Sequence, residues 1–220
     1  MIFKAKSTKL VEIFFYVSDA YEKEHKFSCE RFSNNSSPEF TDQEIMTVYL
    51  FCISQEQRTK IKQIYTFADE YLRSWFPKLP SYAAFNNRIN RLSEAFRLLT
   101  ASLLRTRQPS DCFISESLLD SGPVITCLGK RIGRVAPGLT EKGFCSTKSL
   151  YYYGLKLHVL AFRRENQLPF PEQLLITPAS ESDLNVFKNA WQILRTELFM
   201  VTKFITTLTI LDSLLQVRML

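Results

Sequence analysis

The sequence predicts an α+β protein, with a helical first half followed by a smaller α/β region. Three observations carry this. Up to about residue 108 apolar residues recur at three- and four-residue spacing, as on one face of a helix. After Pro109 the chain turns to aromatic and β-branched runs of strand length, separated by turn residues. Beyond Ser180 helical spacing returns once, so strands and a helix share the second region.

The elements follow in order. The N-terminus, MIFKAKSTKLVEIFFYVSDAYEKEHKF, has a basic start, but Glu12 and Asp19 interrupt its apolar run. It reads as an amphipathic helix rather than a signal peptide. SNNSSP (Ser33–Pro38) is a polar break. TDQE (Thr41–Glu44) then has the residues of a capping box, followed by Ile45, Val48, Tyr49, Cys52 and Ile53 on one face. A second helix is predicted over Lys60–Trp75, stopped by Pro77 and Pro80. Ser81 caps a third, SYAAFNNRINRLSEAFRLLTASLLR, with Phe85, Ile89, Leu92, Phe96, Leu99 and Leu103 on its apolar face. Asn86, Asn87, Asn90 and Arg91 fall largely on the other face.

In the second region DCFISESLLDSG is predicted to be a strand ending in a turn at Asp120–Pro123. SLYYYGLKLHVLAF and LPFPEQLLITPA read as partner strands joined by RRENQ, and ESDLNVFKNAWQILRT as an amphipathic helix. The predicted boundaries are 1–108 for the helical region, 109–199 for the α/β region and 200–220 for a tail.

The chain is 45% hydrophobic and 23% charged over 220 residues, enough to bury a real core. No run of eighteen apolar residues occurs, so a membrane partner is not expected. Cys29, Cys52, Cys112, Cys127 and Cys145 are scattered with no CxxC pair, and the only histidines are His25 and His158. Reduced thiols in a cytoplasmic protein are expected rather than a zinc site. A net charge of +6 permits nucleic-acid binding without establishing it. The excess is local: six Lys or Arg against Glu141 alone from Cys127 to His158, and five Arg against Glu94 alone from Phe85 to Arg107.

Asp120 on its own is a turn former as readily as a metal ligand at the end of a strand. The stretches TDQEIMTVYLFCI, FPKLPSYAAFNNRINRL, LLDSGPVITC, KGFCSTKSLYYYGLKLHVL and LLITPASESDLNVF, taken in order, resemble bacterial insertion-sequence DDE transposases. The resemblance runs from about Phe40 to Leu198. It implies a partial RNase H-like catalytic domain, a mixed sheet with flanking helices. In such enzymes three carboxylates hold two Mg²⁺ (or Mn²⁺) ions for phosphodiester cleavage and strand transfer. By the same resemblance Asp120 would be the first catalytic, metal-holding carboxylate. Tyr153–Val159 would be the second strand, Leu174–Thr177 the third, and the helix from Asp183 would pack across the sheet. The partner implied is DNA at the terminal inverted repeats of a mobile element, with a homodimer left open and no small-molecule substrate.

Lys130, Arg131, Arg134, Lys142, Lys148 and Lys156 are candidate phosphate contacts, the alternative being an ordinary solvated surface. His158 is either a structural histidine or, by the resemblance, a residue near the DNA. Asn86, Asn87, Asn90 and Arg91 are candidate base readers of a helix-turn-helix whose turn is Pro77–Ser81, the alternative being a packed bundle.

The pattern then departs from the family. After the SDL helix the resemblance calls for a Gly-Asp-Lys segment and, downstream, a Glu. Here the chain reads ELFMVTKFITTLTILDSLLQVRML. A frame shifted after about Phe199 can encode Tyr-Gly-Asp-Lys-Ile-Tyr, so residues 200–220 are expected to be an out-of-frame tail. Asp212 lies in a helix-like context and is a poor second Asp. The expectation is a transposase remnant without cleavage activity. The competing readings are a non-catalytic DNA-binding protein and a helical interaction module with an incidental basic surface.

Overall fold

The computed structural model describes residues 4–29, 38–128, 136–191 and 198–201. The chain is α+β: six helices come first and a sheet follows. It forms two compact units, one ending at Leu103 and the other starting at Leu104.

In the first unit α1 (Lys4–Ala20) runs through a π-helical turn (Tyr21–His25) into α2 (Lys26–Cys29). Then come α3 (Asp42–Glu56), α4 (Ile61–Tyr71), α5 (Tyr82–Arg91) and α6 (Ser93–Thr106). The capping box forms as its residues require. The Glu44 N–H donates to Thr41 Oγ1 while the Glu44 carboxylate accepts from the Thr41 N–H, serving amides that have no partner inside the helix. α3 packs against α1, α4 and α5. A single apolar core results, including Leu10, Val17, Ile45, Phe51, Ile64, Leu72, Phe85 and Leu92, each at most 1% exposed.

Two helix limits differ from the periodicity. α4 ends at Tyr71 rather than Trp75, because Leu72 leaves the helical region at φ −111° and the chain tightens into turns that bury Phe76 and Leu79. The long helix predicted from Ser81 is two helices, broken at Leu92 (φ −83°, ψ 13°). Leu92 is fully buried, so the apolar stripe that suggested one helix crosses the break.

The second unit holds β1 (Cys112–Leu128), β2 (Glu141–Cys145), β3 (Leu150–Arg164), β4 (Phe170–Pro178), α7 (Asp183–Val186) with a π-helical turn to Trp191, and β5 (Leu198–Val201). β3 is central. β1 pairs with one of its edges, antiparallel, from Cys112↔Arg164 to Leu128↔Tyr152. β2 and β4 share the other edge end to end, β2 against Leu150–Gly154 and β4 against Leu155–Phe162, both antiparallel. β5 lies parallel to β1 along Glu116–Leu119.

The predicted turn at Asp120–Pro123 does not form. β1 runs straight through it, because pairing with β3 continues on both sides, at Asp120↔Val159 and Pro123↔Lys156. Pro123 has no N–H to give, and it lies beyond the four residues of β1 that pair with β5, so no bond to β5 is lost there. EKGFC, read only as part of a motif, is a strand. The buried residues of the sheet divide by side-chain alternation. Leu119 and Leu160 pack with Val186 and Trp191, while Val159 and Ala161 lie on the opposite face.

Candidate functional site

Three of the five segments that carry the transposase resemblance meet at one junction on the sheet. Where β2 gives way to β4 along the edge of β3, Gly143 lies against Ala179. A Cβ at Gly143 would stand 2.6 Å from the Ala179 carbonyl oxygen and 2.8 Å from its Cβ, so only glycine lets β2 reach this position. Gly154 is as tightly placed, since a Cβ there would collide with the Val124 carbonyl oxygen of β1. The Ala179 N–H donates to Gly154 O at 3.2 Å, and the Ser180 hydroxyl bonds Glu141. The KGFC, YYYGLKLHV and TPAS stretches are thus parts of one packed joint.

The polar groups beside the joint serve α7. Ser182 caps the helix, its hydroxyl accepting from the Asn185 N–H at 3.1 Å. Asp183 begins the helix over β3. Its Oδ1 stands 3.1 Å from Nδ1 of His158, off the line of a well-formed hydrogen bond, and 4.0 Å from Lys156 Nζ. The His158 imidazole, the Ser121 hydroxyl and the Lys156 ammonium hold the Asp183 carboxyl below its ordinary pKa, against a smaller opposing effect of burial. His158 is fully buried, and its Nε2 sits 2.9 Å from Thr177 Oγ1. Lys156, half-buried, donates to the Glu181 carbonyl. Both residues therefore tie α7 and β4 to β3.

Asp120 is in mid-strand, not at a strand end, and only 7% exposed. Its Oδ1 accepts from the Ser121 N–H at 2.8 Å. Since Ser121 and His158 are cross-strand partners on the α7 side, alternation puts Asp120 on the opposite face, with Val159. Asp183 is therefore no second carboxylate for it. Among the described residues no group of three or more His, Cys, Asp or Glu side chains converges as a metal site.

Lys142 and Lys148 are exposed, on β2 and in the turn after it. Lys142 Nζ lies 4.9 Å from the centre of the Tyr151 ring. Lys130, Arg131, Arg134 and Asp212 lie outside the described residues.

In the helical unit α5 follows a connector pinned by the Tyr65 hydroxyl, which donates to Pro80 O at 3.0 Å. Phe85 and Ile89 turn into the core while Asn87, Asn90 and Arg91 stay outside. Asn86 is half-buried, and its carbonyl accepts from Asn90 Nδ2 at 2.9 Å. The side chain of Arg91, 45% exposed, reaches to 3.7 Å from Asp42 Oδ2. Arg88, not singled out by the sequence, makes the strong contact: 2.6 Å to Asp42 Oδ1, largely buried. The Tyr21 hydroxyl donates to Asp42 Oδ2 at 3.2 Å. Burial, and next the Asp42 charge, push the Tyr21 pKa well up. Asp42 thus joins the start of α3 to α5 and to the turn after α1, separations of 46 and 21 residues with no local signature.

None of the five cysteines is in a disulfide; burial pushes the Cys52 thiol up to about 12, which makes it inert. No helix among the described residues is long and apolar enough to cross a membrane. No family model, curated protein or solved structure matches the chain.

Proposed function

We propose that the chain is a DNA-binding protein built on the plan of an insertion-sequence DDE transposase, with a partial RNase H-like second unit. The observation that supports this best is the order of the second unit. A strand bearing Asp120 pairs with the YYYGLKLHV strand, the LLITP strand pairs with that one in turn, and a helix begins after it. That is the succession the motif resemblance implies, with Asp120 in the middle of the first strand.

DNA contact falls to the helical unit. α3, α4 and α5 pack on one another, and α5 keeps Asn87, Asn90 and Arg91 on its outer side. Asn pairs well with adenine edges and Arg with guanine. Terminal inverted repeats are the natural target of such a helix in this plan.

Cleavage is not part of the proposal. In the enzymes the chain resembles, three carboxylates hold two divalent cations. Among the described residues Asp120 stands without such a set, and the residues after Leu198 contain no Gly-Asp-Lys segment. One carboxylate does not hold two mutually repelling cations, so the described residues do not fit the Mg²⁺ or Mn²⁺ pair and no step is assigned to it.

The test is duplex binding by fluorescence anisotropy across a salt series. Affinity falls linearly on logarithmic axes as salt rises if phosphates are neutralised. Asn87→Ala with Asn90→Ala weakens binding without changing thermal stability. Binding that is absent, or indifferent to both salt and these substitutions, removes the DNA reading. Nicking of a plasmid by the purified chain with Mg²⁺ or Mn²⁺, lost in Asp120→Asn, removes the claim that it does not cut.

A further inference from the structure

The hairpin of β2 and β3 carries an outer surface that the core does not use. Phe144 and Tyr151 are cross-strand partners, 51% and 60% exposed, with ring centres 4.8 Å apart and planes at 47°. Their neighbours Gly143 and Tyr152 are buried on the other face of the hairpin. By alternation the two aromatics cannot turn inward without slipping the register by one residue. Lys142 lies on the same side with its ammonium over the Tyr151 ring, and Lys148 is exposed in the connecting turn. The one acid of the hairpin, Glu141, is engaged by the Ser180 hydroxyl. Phe15 and Phe27, also exposed, have no cation over the ring among the contacts described, and the Arg163 guanidinium over Phe113 is already paired with Glu116.

We propose that this hairpin binds unpaired DNA bases, with Phe144 and Tyr151 as the stacking surface and Lys142 and Lys148 meeting the flanking phosphates. Bases offer flat π-faces to aromatic side chains, and phosphates offer the negative charge that two lysines match. A protein partner suits the patch less well, because lysine is depleted where proteins bury surface against each other. The tight seat of Gly143 on Ala179 fixes the base of the hairpin, so the rings are presented with little freedom to lose on binding. The inference rests on the DNA reading above and deepens it: the helical unit takes the duplex, and the hairpin takes a strand whose bases have been unstacked.

The experiment compares anisotropy of labelled oligo(dT) and of labelled duplex with the full chain. Phe144→Ala combined with Tyr151→Ala weakens oligo(dT) binding about tenfold or more, as loss of base stacking does, and leaves duplex binding and the melting temperature unchanged. Phe144→Trp with Tyr151→Trp keeps oligo(dT) binding. Lys142→Ala with Lys148→Ala lowers the salt slope for oligo(dT) by roughly 1.4, at about 0.7 per phosphate on single strands. Oligo(dT) binding unchanged in the double alanine variant overturns the inference. So does a change confined to self-association, seen by sedimentation, which would make the patch a contact between copies. Duplex binding without oligo(dT) binding sinks the hairpin alone and leaves the DNA reading standing. Binding to neither sinks both.

Discussion

The helical unit and the sheet unit bury their apolar side chains in different ways. In the first, helices from α1 to α6 contribute to a single connected core, with aromatic pairs such as Phe40–Phe76 and Tyr65–Phe85 set edge to face. In the second, the described apolar clusters are three small ones, with Leu118, Tyr152 and Ala179 buried apart from them: Leu119, Leu160, Val186 and Trp191; Leu104, Phe162 and Phe170; Val159 and Ala161. A sheet has two faces, so its apolar residues divide, and backbone pairing along β3 carries more of the organisation. Polar joints differ too. The helices are tied by one buried ionic centre at Asp42, the sheet by a run of close backbone approaches and by the Asp183–His158 contact.

The largest expected effects fall on the helical unit. Phe51→Ala opens a hole in the connected core and costs about 3–5 kcal/mol. Leu160→Ala, in a four-residue cluster, falls at the lower end of the 2–5 kcal/mol range for Leu→Ala. Denaturant titration followed by far-ultraviolet circular dichroism measures both, and equal losses would dissolve the contrast. Asp42→Ala leaves Arg88 buried beside a missing charge, for a cost of about 3–5 kcal/mol. Asp42→Asn, which keeps the acceptor for Tyr21, should recover part of it. A loss below about 1 kcal/mol for Asp42→Ala would show that solvent takes over the role of the carboxylate.

Acid separates the units by pH window. His25 is fully buried, neither ring nitrogen has a well-aligned hydrogen bond among the described residues, and burial lowers its pKa below the ordinary 6.5. The unfolded chain then binds the proton more readily, so stability is complete above about pH 6.5 and declines as pH falls below it. Asp183 has its pKa lowered from 3.8, chiefly by His158; its contribution is complete above that value and is lost only as pH falls below it. Melting curves between neutral and mildly acidic pH should therefore show a decline that His25→Leu removes and Asp183→Asn leaves in place. The opposite pattern would reverse the assignment. Smallest is the cap: Thr41→Ala removes the acceptor for the Glu44 N–H and costs about 1 kcal/mol, measured as a shift in denaturation midpoint.

Legibility in the sequence follows the range of the forces involved. The helices and the Thr41–Glu44 box were readable because periodicity and capping act within a few residues. β3 and β4 were readable from aromatic and β-branched runs with RRENQ between them. DSGP misled because its turn chemistry is local, whereas the pairing with Val159–Lys156 that straightens it comes from more than thirty residues away. Five residues, EKGFC, are too few for alternation to declare a strand. The Asp42–Arg88 pair left no trace because nothing near either residue requires the other. At the candidate site the motifs were visible, yet their roles were not. His158, which the sequence left open between a structural role and one near DNA, and Lys156, a candidate phosphate contact, are engaged by Thr177, Asp183 and Glu181. Lys142 and Lys148 do lie outside.

The seat of Gly143 on Ala179 also limits how this chain can diverge. Two backbones in contact there leave no space for either residue to grow alone, so the positions are bound to vary as a pair. Sequences that share the joint should keep glycine at the first and a small residue at the second even where the surrounding charges drift. A chain with a larger residue at either position would need a different course for β2, and with it a different placement of the exposed hairpin.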